Sequence, residues 1–183
     1  TVLGNDPSPG DPIVVCFRNS TAATGNYVYR VITAALSLVI SSGSKIGSAN
    51  SVAFKNWVVL FDDGGTIRIG VINCVLGDAT PTSIYPLGQF PIASSTAEGG
   101  SGGADTAQVF YTGAAVTSKA YAILGYYSYE SGLATAGTWS AVPTRIQLYG
   151  PNVPLPGAII QMTYSSTTST TTLTAGGGKT ATS

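Results

Sequence analysis

The chain has 183 residues, of which only eight are acidic and eight basic, and it contains no histidine. An average soluble domain is about a quarter charged, and a net charge of zero with scattered Lys and Arg offers no basic surface for nucleic acid. No run of about 18 apolar residues occurs, so we expect no insertion into a membrane. Without histidine the chain lacks the usual general base near pH 7 and the commonest metal ligand, and we expect no metal and no cofactor.

The length suits one domain with a substantial core. Polarity comes mainly from 43 Ser and Thr residues, and a surface with so few charges tends to associate. We therefore expect a fixed homo-oligomer or a place outside the cell. No signal peptide opens the chain and Thr1 is an unusual first residue, which suggests a fragment or a processed form.

A turn-rich segment, residues 4–12, precedes strand-like runs that recur every 8–15 residues with Gly, Pro, Asn and Asp between them. This spacing is typical of an all-β sandwich or barrel. The alternation of apolar and polar residues in several runs favours an antiparallel sheet with one buried face. The runs are residues 13–18, 89–94, 107–111, 120–129, 144–149 and 158–164.

Residues 27–40 fit either a helical stripe or a strand face, and their β-branched residues together with the all-β surroundings favour strand. The clearest unit follows in residues 57–72, where Asp-Asp-Gly-Gly at 62–65 separates two alternating runs. Glycine accepts the positive φ that tight hairpin turns need. The sequence therefore predicts a β-hairpin here.

Two segments are rich in small residues. Residues 97–104 are glycine-rich and are predicted to form a flexible loop. The tail at 165–183 consists mainly of Ser, Thr and Gly, a composition that is disordered in isolation. We expect such a tail to become ordered by packing against a neighbouring chain.

The two cysteines, Cys16 and Cys74, both lie in apolar runs. Two cysteines without other ligands cannot form a structural zinc site. The favoured interpretation is two buried free thiols, and a disulfide remains open if their strands are neighbours.

Three motifs are weak indications of chemistry. Residues 178–180 resemble the end of a phosphate-binding loop, but Leu173 stands where the first glycine of that motif belongs. The pair at 62–63 lacks the spacing of a calcium loop and is interpreted as a solvated turn. The acidic residues Asp78, Glu98, Asp105 and Glu130 are isolated in sequence, and the sequence pairs none of them for hydrolysis.

Aromatic residues concentrate in the last third of the chain. On a strand Tyr127 and Tyr129 share one face and Tyr126 lies on the other, so one set can be exposed. Exposed Tyr and Trp offer apolar contact with a polar tip, which suits sugar or protein partners. The alternative is that the rings fill the core or a subunit seam. The predicted contact residues for a receptor or a second subunit are Tyr126, Tyr127, Tyr129 and Trp139.

Several segments together carry a resemblance to the distal domains of phage and prophage tail fibres or tail-needle tips. They span most of residues 4–163, and the run around GLATAGTW is the most unusual. The segments are 57–73 (WVVLFDDGGTIRIGVIN), 83–88 (SIYPLG), 97–100 (AEGG), 124–139 (LGYYSYESGLATAGTW), 143–151 (PTRIQLYGP) and 155–157 (LPG). The resemblance implies a virion module, expected to be a homotrimer, that presents loops to a host surface.

We therefore expect an antiparallel β-sandwich of jelly-roll type over residues 1–164, followed by the tail at 165–183. The expected function is non-enzymatic attachment in the virion, with other virion proteins and a bacterial surface receptor, including a glycan, as partners. One alternative is a purely structural virion subunit without a receptor, such as a capsid decoration or fibre component. The other is a glycan-processing tail enzyme, which requires a groove with two carboxylates within about 10 Å of each other.

Overall fold

The computed structural model describes residues 5–18, 26–74 and 92–149. These residues form strands, turns and extended chain without a helix, which confirms the all-β prediction. The run at 158–164 and the tail at 165–183 lie outside the described residues. The strands are β1 Ile13–Arg18, β2 Tyr27–Ile32, β3 Phe54–Asp63, β4 Thr66–Asn73, β5 Ile92–Ala93, β6 Ser95–Ala97, β7 Phe110–Thr112, β8 Lys119–Tyr129 and β9 Arg145–Leu148.

Seven of these strands form one nearly closed sheet. Its order is β5-β8-β3-β4-β7-β6, and β9 pairs with β8 beside this path. Only Ser94 separates β5 at one edge from β6 at the other, so the two edges are brought together by continuous chain. All pairings are antiparallel except that of β6 with β7.

The predicted hairpin is confirmed as β3 and β4. Its register closes with Asp63 opposite Thr66, which leaves a two-residue turn. Gly64 and Gly65 have φ values of 62° and 103°, as a type I′ turn requires at both central positions. The turn type matches the right-handed twist of the strands and so fixes their register.

The inner face of the nearly closed sheet holds the main core. Alternate residues of β3 point inward, and they meet apolar side chains from β4, β7 and β8. Burial of this apolar surface is the principal stabilising contribution to the fold. The buried members are Trp57, Val59, Phe61, Ile72, Cys74, Phe110, Val116 and Tyr121.

The β1–β2 hairpin covers part of the outer face. Phe17 and Ile32 pack against Leu60 and Ala120 there. The prediction of strand for residues 27–40 is correct for 27–32 only, because residues 33–40 run as extended chain without strand pairing. This extended chain lies over the outer face of the sheet, where Leu38 and Ile40 join an apolar cluster.

Both cysteines are free thiols. Cys74 is buried as predicted, and burial raises the pKa of its thiol to about 12. The prediction of burial is wrong for Cys16, which is exposed. Strand alternation turns Phe17 into the core, and therefore its neighbour Cys16 lies on the outward face beside Tyr29.

Candidate binding groove on the outer face

An open groove of about 540 Å³ lies on the outer face of the sheet. Its lining includes residues of β3, β4, β8 and β9, together with the extended chain around residues 36–40 and Trp139. None of the lining side chains is charged. The lining residues are Leu36, Ser37, Leu38, Ile40, Val58, Ile69, Val71, Leu124, Gly125, Tyr126, Tyr127, Tyr129, Trp139, Pro143, Ile146 and Leu148.

All four predicted contact residues border this groove. The register places Tyr127 and Tyr129 on one face of β8 and Tyr126 on the other, as alternation predicts. The Tyr126 ring packs on the inner side, 5.3 Å from the Trp57 ring centroid. Tyr129 is buried, whereas Tyr127 and Trp139 are half-buried. Tyr127 and Trp139 are therefore the members of the set best placed to meet a partner in the groove.

The polar atoms of these rings already have partners within the fold. The Asn56 side-chain amide donates to the Tyr127 hydroxyl at 3.0 Å, and the Tyr129 hydroxyl donates to the carbonyl of Ala141 at 3.0 Å. Trp139 Nε1 donates to the carbonyl of Ser44 at 2.9 Å. Burial raises the pKa of Tyr127 to about 12, so this hydroxyl stays neutral. The three rings are fixed in place and present mainly carbon to the groove.

Glu98 fixes the chain next to the groove wall. Its carboxylate accepts hydrogen bonds from the amide and hydroxyl of Ser41, the hydroxyl of Ser44 and the amide of Gly100. Burial alone raises the pKa of Glu98, but these hydrogen bonds outweigh it and hold the pKa below its ordinary value. Ser44 is also the residue whose carbonyl receives the Trp139 indole.

The prediction of a loop at 97–104 is confirmed for residues 98–104, whereas Ala97 ends β6, and the flexibility of this loop stays a prediction. Backbone hydrogen bonds join Gly103 and Ala104 to the carbonyl of Gly100, and Ala104 is fully buried. The glycine-rich composition does not indicate that Glu98 accepts several hydrogen bonds there. A charged acceptor forms stronger hydrogen bonds than a neutral one, and this offsets part of the ordering entropy of the glycines.

Gly125 allows β9 to approach β8. A Cβ at this position would lie 2.1 Å from the carbonyl oxygen of Gln147. The register of β3 with β8 shifts between Val58 and Val59, opposite Gly125 and Ile123, so that one extra β8 residue is accommodated there. Ile146 and Leu148 of β9 reach the rim of the groove in this way, with 66% and 69% of their surfaces exposed.

Two acidic residues, Asp62 and Asp63, form ion pairs with neighbouring basic side chains. Asp62 pairs with Arg30 at 2.9 Å, and Asp63 pairs with Arg68 at 2.8 Å and with Lys119 at 3.5 Å. The expectation of a solvated turn at 62–63 is thus replaced by an ion-pair network. Within the described ranges no group of three or more His, Cys, Asp or Glu residues is arranged to hold a metal ion.

The pKa shifts of four carboxyl groups have the same sign. Hydrogen bonds from Arg68 lower the pKa of Asp63, and those from the amides of Lys45 and Gly102 lower the pKa of Asp105. Burial raises the pKa of Asp62, but hydrogen bonds from Arg30 and the Gly65 amide bring it below its ordinary value. The pKa of Glu98 is lowered in the same way. A general acid for glycoside cleavage needs a raised pKa instead. Asp78 lies outside the described residues.

Comparisons of the chain with family models, with curated proteins and with solved structures gave no match. Among the described residues no helix is long and apolar enough to cross a membrane. The assignment of the groove as a candidate binding site therefore depends on its geometry alone. Sequence reasoning found its aromatic residues but missed its aliphatic ones, although the alternation of Leu36, Leu38 and Ile40 was visible.

Proposed function

We propose that the chain is a non-enzymatic attachment module of a phage tail fibre or tail tip, and that it contacts the host surface through the outer groove. The observation that carries the proposal is an open groove without charged side chains whose aromatic residues are fixed by internal hydrogen bonds. Rigid aromatic surface gives contact area at little entropic cost. The resemblance of segments 57–73 and 124–139 to tail-fibre domains supports the virion setting.

The groove favours a partner surface rich in carbon over one rich in hydroxyl groups. Sugar recognition combines ring stacking with hydrogen bonds to hydroxyls, and a buried polar group without a partner is costly. The Tyr129 and Trp139 donors are already used within the fold, and the Tyr127 hydroxyl accepts a hydrogen bond from Asn56. We therefore propose an apolar patch of a bacterial surface protein as the receptor, in preference to a glycan.

Several finer expectations belong to this proposal as predictions. They are a jelly-roll arrangement of the strands, a homotrimer, contacts with other virion proteins and a place in the extracellular particle. The coarser all-β sheet agrees with a durable extracellular part, because a nearly closed sheet leaves few unpaired edges.

One observation favours the alternative of a purely structural virion subunit. The outward face of the β1–β2 hairpin exposes four large residues side by side: Val14, Tyr27, Tyr29 and Val31. Contiguous exposed apolar surface of this kind marks contact sites between proteins. In a structural subunit this face would pack on a neighbour, and the groove would have no receptor.

Binding of the fluorescently labelled protein to a panel of bacterial strains, measured by flow cytometry, tests attachment. Leu36→Lys places a charge in the uncharged groove, and we expect at least about a tenfold loss of binding because the charge would be desolvated without a partner. Val39→Lys is the matched control, since Val39 lies on the same segment, is 74% exposed and is not part of the lining. Equal binding by both variants, or binding to no strain, would contradict the proposal.

A further inference from the structure

The backbone groups of β9 alternate between two directions. The amide of Tyr149 donates to the carbonyl of Leu124 at 2.7 Å, and the carbonyl of Gln147 lies against Gly125. The backbone groups of residues 147 and 149 thus point toward β8. In an antiparallel pair such groups alternate along the strand, so the N–H and C=O groups of Ile146 and Leu148 point to the opposite edge.

This opposite edge of β9 is unpaired within the part of the chain that the structure describes. Among the described residues, the outward carbonyl of Leu148 accepts one local hydrogen bond, from the side-chain amide of Gln147 at 3.0 Å. A carbonyl can accept a second hydrogen bond. An unpaired edge with apolar side chains is a template for another strand.

We propose that β9 pairs antiparallel with β9 of a second copy of this chain, about a two-fold axis that passes beside Gln147. In this register the amide of Ile146 donates to the carbonyl of Leu148 in the second copy, and the amide of Leu148 donates to the carbonyl of Ile146 there. Symmetry doubles both bonds. The outward groups of β9 are thereby satisfied by the same groups of its copy.

The charges of β9 agree with this register. Arg145 is the one ionised side chain in the strand, and it faces Tyr149 of the second copy, not its own counterpart. Gln147 faces Gln147 across the axis, where the two neutral amides can hydrogen-bond to each other. The chain as a whole has a formal net charge of zero, so two copies do not repel each other at long range.

The pairing has a consequence for the groove. Paired residues of antiparallel strands project to the same face, so Ile146 and Leu148 of both copies form one apolar strip between two grooves. Both grooves then open on the same side of the extended sheet. If the grooves bind a receptor, as proposed above, two linked sites raise the avidity for a surface; the pairing itself does not depend on that function.

Sedimentation of the whole protein over a range of concentrations tests the pairing. Ile146→Pro removes the outward N–H without removing a bond to β8, a position that edge strands tolerate. Two hydrogen bonds per pair disappear, and we expect the dissociation constant of the dimer to rise at least about tenfold. Ile146→Val keeps the N–H and is the matched control, with an unchanged dissociation constant. Circular dichroism establishes that both variants are folded.

A charge exchange at residue 147 tests the register independently of proline. Gln147→Glu and Gln147→Lys each place like charges opposite each other across the axis, and we expect each variant alone to dimerise about three- to fivefold more weakly than the wild type. An equimolar mixture of the two variants should pair at least as tightly as the wild type. The mixture is expected to pair this tightly only if residue 147 of one chain lies opposite residue 147 of the second.

Three results would overturn the pairing: a monomer at every concentration, an oligomer that Ile146→Pro leaves unchanged, or variants at 147 whose mixture is no tighter than either alone. The cyclic homotrimer that the resemblance implies has no two-fold axis, so it and the two-fold pairing of β9 exclude each other. A three-chain particle insensitive to Ile146→Pro therefore belongs to the second result. Failure of the attachment proposal is recognised separately, because Leu36→Lys acts in the binding measurement and lies outside β9. The two proposals can therefore fail independently.

Discussion

The two faces of the nearly closed sheet both carry clusters of aromatic rings, but they hold them by different means. Inside, the ring centroids of Phe61, Phe110 and Tyr121 lie 5.1 to 5.7 Å apart, and all three residues are buried. Outside, Tyr127 and Trp139 are half-buried next to Tyr129. The Tyr127 hydroxyl accepts a hydrogen bond from Asn56, and the Trp139 indole donates one to the carbonyl of Ser44. Burial suffices for a closed core, whereas a ring at an open groove keeps its orientation because a specific polar partner holds it.

The largest expected effect is on the inner cluster. Phe61→Ala removes a fully buried ring that contacts Phe110 and Tyr121. We expect the free energy of unfolding to fall by about 3–5 kcal/mol, because the variant loses buried apolar area and leaves a cavity. Denaturant unfolding followed by circular dichroism measures this loss. A loss below 1 kcal/mol would mean that the inner face is not the main core.

Gly125→Ala tests how the outer rim is attached. The added Cβ would lie 2.1 Å from the Gln147 carbonyl oxygen, so β9 must move away, at a cost of about 1–3 kcal/mol in unfolding free energy. Hydrogen exchange of the Tyr149 amide, which donates to Leu124, should become faster. Gly113→Ala is the control, because a Cβ there meets no atom within 4 Å. Equal exchange in the two variants would contradict the assigned approach of β9.

The sheet and the outer groove also differ in how far the sequence predicts them. The β3–β4 hairpin depends on neighbouring residues, since alternation and the glycines at 64–65 determine both strands and turn. The groove instead joins the chain around 36–40 to Trp139 and β9, about a hundred residues away, and no local pattern specifies that meeting. Composition likewise could not predict the hydrogen bonds that Glu98, in the loop at 97–104, accepts from the distant Ser41 and Ser44.

Trp139→Phe tests the polar anchoring of the outer cluster. The variant keeps a ring beside Phe54 and Tyr129 but loses the donor to the Ser44 carbonyl. We expect a loss of about 1 kcal/mol in unfolding free energy, the usual net contribution of one hydrogen bond. Measuring the unfolding free energies of Trp139→Phe and Phe61→Ala under the same conditions gives the comparison directly. A loss as large as that of Phe61→Ala would show that Trp139 stabilises the fold by burial, like the inner rings.

The smallest effect is confined to acid and concerns Glu98, which holds the segment that carries Ser44. Its folded-state pKa lies below the ordinary value of 4.5, so the ionised carboxylate stabilises the fold above that pH, and this contribution disappears as the pH falls through the folded-state pKa. The lowered pKa values of Asp62, Asp63 and Asp105 act in the same direction, and therefore only a difference between variants isolates Glu98. We expect the unfolding free energy of Glu98→Gln to depend less on pH below 4.5 than that of the wild type. Glu130→Gln, at an exposed position outside this cluster, is the control and should follow the wild type. If Glu98→Gln also follows it, the carboxylate is not what holds this wall of the groove, and the outer face would then depend on packing as the inner face does.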